Sequence, residues 1–400
     1  MPRTKIGRTE NVTKTVKGMN WELFKALLSF DSTSGKEREV ADWLLRTLEA
    51  PSIEAQEVGD GTLNLLLKWG TPQVVFCTHM DTVPPYIPPT FPASLFPELV
   101  SKDCRRPSER PAGPGILPGD KIVEGEKAAG DDRGQSPVKG RGSCDAKGQI
   151  FAMYTACKEL EASGFTDFGL LLLAGEETGS WGAKAFARTD FRAPFLIVGE
   201  PTENKMVSAS KGTKSYDLTF RGEAFHSGYP QYGLSAVDLF VEFYNQLKAK
   251  DFGMDPLLGE TTWNVGLLHS DNPQNILSPE LTCRLYFRTT FVSDQAVQDW
   301  MAALPERMAL SGKQTVSVVA RGGDAPARYV TLPGFGHAPV AFGSDAPHLG
   351  NFGHKIICGP GTIRVAHRPD EHILVADLEK AVEQYVRMYK ELTAPAGTMP

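Results

Sequence analysis

The run Val74-Val75-Phe76-Cys77-Thr78-His79-Met80-Asp81-Thr82-Val83-Pro84-Pro85 constrains this chain more than any other stretch. An apolar, β-prone segment ends in a histidine and an aspartate two residues apart, and then in paired prolines that a central strand does not tolerate. The pattern predicts a buried strand whose carboxyl end opens into a site, which is where ligands bind in open α/β sheets. His79 offers a metal ligand there, and Asp81 a group able to orient the ring through its other nitrogen. A strand-end histidine is more often structural, so the pair gains its meaning from the carboxylates and the histidine farther along the chain.

Four hundred residues exceed the size at which one core keeps growing, so two domains are expected. Residues 1–18 are basic, polar and without periodicity, which fits a disordered extension or a start codon set upstream of the true start, Met19. Trp21 to Phe30 carries helical spacing. Ser34-Gly35-Lys36-Glu37 reads as a capping box for a second helix, in which Val40, Trp43, Leu44 and Leu48 share a face. Leu63 to Trp69 reads as a strand. Proline and charge crowd the chain after Tyr86, and 86–139 is expected to be an exposed loop or insertion.

More carboxylates stand at the ends of later elements. The glycine-punctuated turn Gly140 to Gly148 leads into a helix from about Gln149 to Ala162 and puts Asp145 at its N-terminus, where capping is the ordinary role. The apolar strand Phe168 to Ala174 ends in Gly175-Glu176-Glu177, a pair that repels itself unless a cation or a proton offsets it, or unless both are solvated in a loop. Phe195 to Gly199 leads into Glu200, and Lys355 to Cys358 precedes the segment Gly359 to Glu371 that contains His367. Imidazoles and carboxylates without thiolates suit zinc, with manganese or cobalt as substitutes. Two histidines and three or more carboxylates exceed what one tetrahedral ion uses, whereas two ions about 3.5 to 4 Å apart, bridged by one carboxylate, accommodate them all. One glutamate is then left to act as general base toward a metal-bound water.

In order along the chain, His79 to Pro84, Gly140 to Gly148, Gly175-Glu176-Glu177, Gly199-Glu200-Pro201-Thr202 and His367 resemble the motifs of one family. It is the dinuclear zinc amidohydrolase and exopeptidase family of acetylornithine deacetylase, succinyl-diaminopimelate desuccinylase, aminoacylase and glutamate carboxypeptidase. The resemblance implies two zinc ions per subunit, His79 and Glu200 holding one, Glu177 and His367 the other, and Asp145 bridging them. It further implies that Asp81 orients His79 and that Glu176 is the base. The long passage from Pro85 to Gly140 departs from the family pattern and bears on the entrance to the site.

From about Val207 to Arg321 the rhythm changes to strand, helix, strand, strand, helix, strand, the pattern of a small ferredoxin-like domain. Ligand candidates lie on both sides of it. The expected fold is therefore an α/β catalytic domain, 19–206 and 322–400, with a mostly parallel central sheet flanked by helices and interrupted by an inserted α+β domain, 207–321. The resemblance implies that the insertion serves as lid and as dimer contact, making a homodimer. It also implies that His226 reaches the substrate carbonyl, in its own subunit or across a dimer, and that Asn275 and Arg288 approach the substrate's carbonyl and carboxylate. On their own, His226 reads as a polar loop residue and Arg288 equally well as an exposed strand charge.

A net charge of -6 gives no reason to expect nucleic acid or an anionic membrane as partner. Six scattered cysteines without a Cys-x-x-Cys pair, no apolar run of membrane-spanning length and no hydrophobic signal centre fit a cytoplasmic location. No Gly-x-Ser-x-Gly elbow, phosphate loop or His-Glu-x-x-His helix is present. Two functional classes remain: a zinc-dependent amide hydrolase, and a metal-binding homologue that has lost catalysis. Such a loss ordinarily removes the base or a ligand, and Glu176 and every expected ligand are present. The expected substrate is an N-acyl amino acid, in the manner of acetylornithine deacetylase, with a dipeptidase or carboxypeptidase acting on short peptides as the alternative.

Overall fold

The computed structural model describes residues 18–96, 136–310 and 313–394. Residues 1–17 of the expected extension, and 97–135 of the expected loop, lie outside the described residues. The chain divides into two compact units, Met1–Asn204 with His348–Pro400, and Lys205–Pro347.

In the first unit, α1 (Trp21–Leu28) starts where the Asn20 side chain accepts the Leu23 N–H, and it buries Trp21, Phe24, Leu27 and Leu28. Helix α2 (Arg38–Thr47) buries Val40, Ala41 and Leu44. The capping box expected before it does not form. Glu37 takes the cap position without a side-chain bond to the helix and accepts the Gly35 N–H at 2.7 Å, while the Ser34 hydroxyl donates to Asp81 at 2.8 Å.

Strands β1 (Ser52–Val58), β2 (Thr62–Trp69) and β3 (Val74–His79) come next, followed by β4 (Pro137–Lys139), α3 (Lys147–Ala162), β5 (Phe168–Leu173), α4 (Trp181–Phe186) and β6 (Ala193–Val198). All six residues of β3 and of β5 are buried, the mark of strands covered on both faces.

The second unit holds β7 (Met206–Ser210), β8 (Gly212–Arg221), α5 (Ala236–Ala249), the short strands β9 (Met254–Asp255) and β10 (Gly259–Glu260), then β11 (Thr262–His269) and β12 (Glu280–Thr289). It continues through α6 (Asp294–Ala302), α7 (Leu304–Arg307), β13 (Val316–Gly322), β14 (Ala327–Arg328) and β15 (His337–Val340). Its main sheet, ordered β11-β12-β8-β13, is antiparallel throughout and has the ferredoxin-like arrangement. Alternate residues Tyr216, Leu218 and Phe220 of β8 and Leu281, Cys283, Leu285 and Phe287 of β12 pack with Leu239, Phe243 and Leu247 of α5. The second helix expected in this segment is broken at Ala303, where Pro305 in the first turn of α7 begins a new helix rather than continuing the old one. This unit runs to Pro347, past the expected 321, because β14 and β15 pair with β7 in a second sheet.

The chain then returns to the first unit through β16 (Phe352–Ile357), β17 (His372–Leu374) and α8 (Val375–Thr393). The central sheet is ordered β1-β2-β5-β3-β6-β16, and only β2 runs against the other strands. Strand β4 pairs with β17, so the end of the expected 86–139 loop is regular structure. Register positions the site: His79 lies beside Leu173, and Val198 pairs with both Cys77 and Ile357. The segments after β3, β5, β6 and β16 therefore leave the sheet at one edge.

Candidate metal centre

Along that edge the side chains converge. The Nδ1 of His79 lies 2.9 Å from the backbone oxygen of Asp81 and 3.3 Å from its carboxylate. Both neighbours are acceptors, so Nδ1 carries the proton and Nε2 faces Asp145 Oδ1 at 3.1 Å. The other Asp145 oxygen lies 3.3 Å from His367 Nε2, which also meets Glu177 Oε1 at 3.0 Å. Two groups of donor atoms result, His79 with Asp145 and Glu200, and Asp145 with Glu177 and His367, each group within 4.8 Å internally. Asp145, at the helix N-terminus as expected, points at these imidazoles, and Ala146 takes the cap position of α3.

The spacing fits the implied ions. Ligands at 2.0 to 2.1 Å from a tetrahedral zinc stand roughly 3.3 Å from one another, close to the imidazole–carboxylate contacts here. The donor set is nitrogen and carboxylate oxygen, without thiolate.

Electrostatics follow from crowding acids around two imidazoles. Burial pushes His79 toward neutrality, but the bonds to Asp145 and Asp81 outweigh it and hold the ring well above the usual histidine range. Bonds to Asp145 and Glu177 raise His367 to about 10. Burial would raise Asp145, yet the two imidazoles depress it far below the ordinary carboxylate range; burial leaves Glu177 raised.

Asp81 does more than face His79. Its carboxylate accepts the Ser34 hydroxyl at 2.8 Å and the N–H groups of Glu176 and Glu177 at 3.0 and 3.1 Å. Gly175, at φ 69° and packed so that a Cβ would overlap Trp181, makes the tight turn that delivers those two glutamates. Glu200 leaves β6 beside Gly359, where a Cβ would stand 2.5 Å from the Glu200 carbonyl oxygen. Thr202, Glu203 and Asn204 then bond through their N–H groups to Gly359 and Gly361.

Sequence reasoning gave no role to Arg141 or Glu371, and it read Ser34 as a helix cap rather than as a partner of Asp81. Arg141 and Glu371 are both fully buried and ion-paired at 2.5 Å across 230 residues of chain, a separation that leaves no local signal.

In the second unit, His226 and Asn275 come together. The Ser227 N–H donates to the Asn275 carbonyl and the Leu277 N–H to that of Phe225, and the exposed His226 ring accepts the Gly228 N–H at 3.1 Å. Arg288 is not with them. It lies near the far end of β12, eight residues beyond Glu280, and at the rise of a strand this separation is roughly 27 Å. Its guanidinium stacks over Tyr286 at 5.0 Å.

A mixed α/β chain with two histidine–carboxylate clusters at the edge of its sheet is built as a metal-dependent hydrolase. Residues 124–391 match the family described as peptidase family M20/M25/M40, and the chain belongs to that family. An M20 peptidase domain-containing protein of Schizosaccharomyces pombe is 29% identical over 381 residues, covering 92% of this chain and 83% of its own. A probable carboxypeptidase of Talaromyces marneffei is 29% identical over 408 residues, covering 92% and 84%. The crystal structure of a tripeptidase from Staphylococcus aureus shares the fold, with a TM-score of 0.69 at 16% identity over 93% of this chain and 97% of its own. No helix among the described residues is long and apolar enough to cross a membrane.

Proposed function

We propose that the protein hydrolyses the amide bond between an acyl group and the nitrogen of a terminal amino acid that carries a free carboxylate. The observation that carries this reading is the sharing of Asp145 between two clusters, each with one histidine and one further glutamate. On this reading His79 and Glu200 would hold one zinc, Glu177 and His367 the other, and Asp145 would serve both; cobalt or manganese would suit the same donors. A metal pair held there supplies an activated water and polarises the scissile carbonyl.

The chain's own residues do the rest. Glu176 accepts the water proton at its carboxylate and hands it to the departing nitrogen. Asp81 holds the Nδ1 proton of His79 and, through the Glu176 N–H, sets where that carboxylate starts. His226 donates to the developing oxyanion with Asn275 beside it, and Arg288 takes the substrate carboxylate as a two-pronged partner. Since His226 adjoins Ile276, ahead of β12, and Arg288 lies near the far end of that strand, the two would reach one small substrate from different copies of the chain, which favours a homodimer.

An N-acyl amino acid is the first substrate class. A dipeptide or the C-terminal residue of a short peptide is the second, supported by the relative named as a probable carboxypeptidase. All three contain the same acyl–NH–CHR–carboxylate unit. Zinc-loaded protein offered N-acetyl and N-succinyl amino acids, dipeptides and their C-terminal amides, with primary amine release as readout, tests both classes. Release from free carboxylates well above release from amides is expected; equal rates on both, or none on any, would overturn the proposal.

A further inference from the structure

We infer that Glu371, paired with Arg141, is a positioning residue that sets the place of Asp145, an inference that rests on the metal-binding reading above. Asp145 is carried by an irregular turn and has no strand to fix it. Three N–H groups of that turn, those of Gly142, Cys144 and Asp145, converge on a single oxygen, Glu371 Oε1, at 2.9, 3.1 and 3.1 Å. The other oxygen accepts from Arg141 Nη1 at 2.5 Å, and the Glu371 carbonyl accepts the Gly140 N–H at 3.1 Å.

Arg141 extends the clamp. Its Nε donates to the Pro85 carbonyl at 3.2 Å and its backbone N–H to that of Ile87 at 3.0 Å, in the segment just after His79 and Asp81. The Glu371 N–H donates to the Arg368 carbonyl at 3.3 Å and so closes the short turn that follows His367. One buried ion pair thus ties together the three loops that bring His79, Asp145 and His367.

Glu371 is an acid near these clusters, yet it belongs to neither of them, and both of its oxygens are engaged by Arg141 and by the turn. A neutral acceptor of the same shape would make weaker bonds to three converging N–H groups than a carboxylate does. A buried ion pair is a poor device for stability alone, since an apolar replacement of both partners is often neutral or better. What the charge does here is hold the backbone under a shared ligand.

The test compares Glu371→Gln with the parent protein. Zinc alone, titrated against a competing chelator, should bind about 10- to 100-fold more weakly to the variant, the usual cost of losing a residue that orients a ligand. Both ions should be affected, because Asp145 belongs to both clusters. In the metal-free proteins, amide hydrogen exchange at residues 142–145 should quicken while β3 and β5 keep their protection. Unchanged zinc affinity, or unchanged exchange in that turn, overturns the inference. A parent protein that fails to take up two zinc ions overturns the metal-binding reading instead, and the exchange measurement still decides whether Glu371 holds the turn.

Should the single variant not fold, the double variant Arg141→Gln with Glu371→Gln leaves no charge buried unpaired. It should regain thermal stability and still bind zinc weakly. Parent-like zinc affinity in the double variant would also overturn the inference.

Discussion

Asp81 Oδ1 accepts the Glu176 N–H at 3.0 Å, so the residue that orients His79 also anchors the proposed base. Among the described residues the hydrogen-bond partners of the Asp81 carboxylate are donors: the Ser34 hydroxyl, two backbone N–H groups and the His79 ring. Asp81→Asn keeps the shape but turns an NH2 group toward one of them. Turnover, metal affinity or both should fall about 10- to 100-fold. Steady-state kinetics with metal content on the same sample checks this, and parent-like values in both would remove Asp81 from the site.

Metal binding and proton transfer separate at adjacent positions. Glu177 touches His367, whereas Glu176 is in neither donor cluster. Glu176→Gln should keep both ions while activity falls by about 10² to 10⁴, the range for losing a general base. Glu177→Gln should arrive depleted of metal. Metal analysis of the two proteins decides, and the roles are reversed if Glu176→Gln is the depleted one.

Metal uptake should expel protons. His79 and His367 are both raised above the usual histidine range by their carboxylate partners, His367 to about 10, so a metal binding at Nε2 competes with a proton on each ring. Apparent zinc affinity should therefore climb as pH rises toward that value. The linkage has the opposite sign for metal-free stability. The contribution of the raised imidazoles is fully present below about pH 6.5, the unfolded value, and is lost as pH rises through the folded one. Calorimetric zinc titrations in buffers of different ionisation enthalpy measure the protons released; none released would show the rings neutral beforehand.

If His226 and Arg288 serve one substrate as proposed, they would come from two copies of the chain, because Arg288 lies near the far end of β12 from the Asn275 segment that His226 adjoins. His226→Ala should bind zinc and substrate nearly as the parent does while kcat falls about 10² to 10³, the cost of one oxyanion donor. Mixed with Glu176→Gln, it should regain part of the lost activity, because some mixed dimers hold one intact pairing. Subunit exchange is tracked with a fluorescent label. Exchange without recovery would leave His226 acting within its own chain or not at all.

The sequence by itself determined the strands and where they stop. The apolar runs before His79, Glu176 and Glu200 read as buried strands, and the strand–helix order with ligand candidates on both sides of it exposed the inserted domain. Edge strand β1, largely exposed and weakly patterned, was not legible, nor was the pairing of β14 and β15 with β7 that carries the second unit to Pro347.

Tertiary structure decided which groups meet. Parallel register brings the carboxyl ends of β3, β5, β6 and β16 to one edge, and there the two oxygens of Asp145 face imidazoles from positions 79 and 367. It diverted Ser34 from capping α2 to Asp81, and it buried Arg141 against Glu371. Local propensity reports only a residue's near neighbours along the chain. A hydrogen bond that spans hundreds of residues exists only once the sheet has brought its loops together.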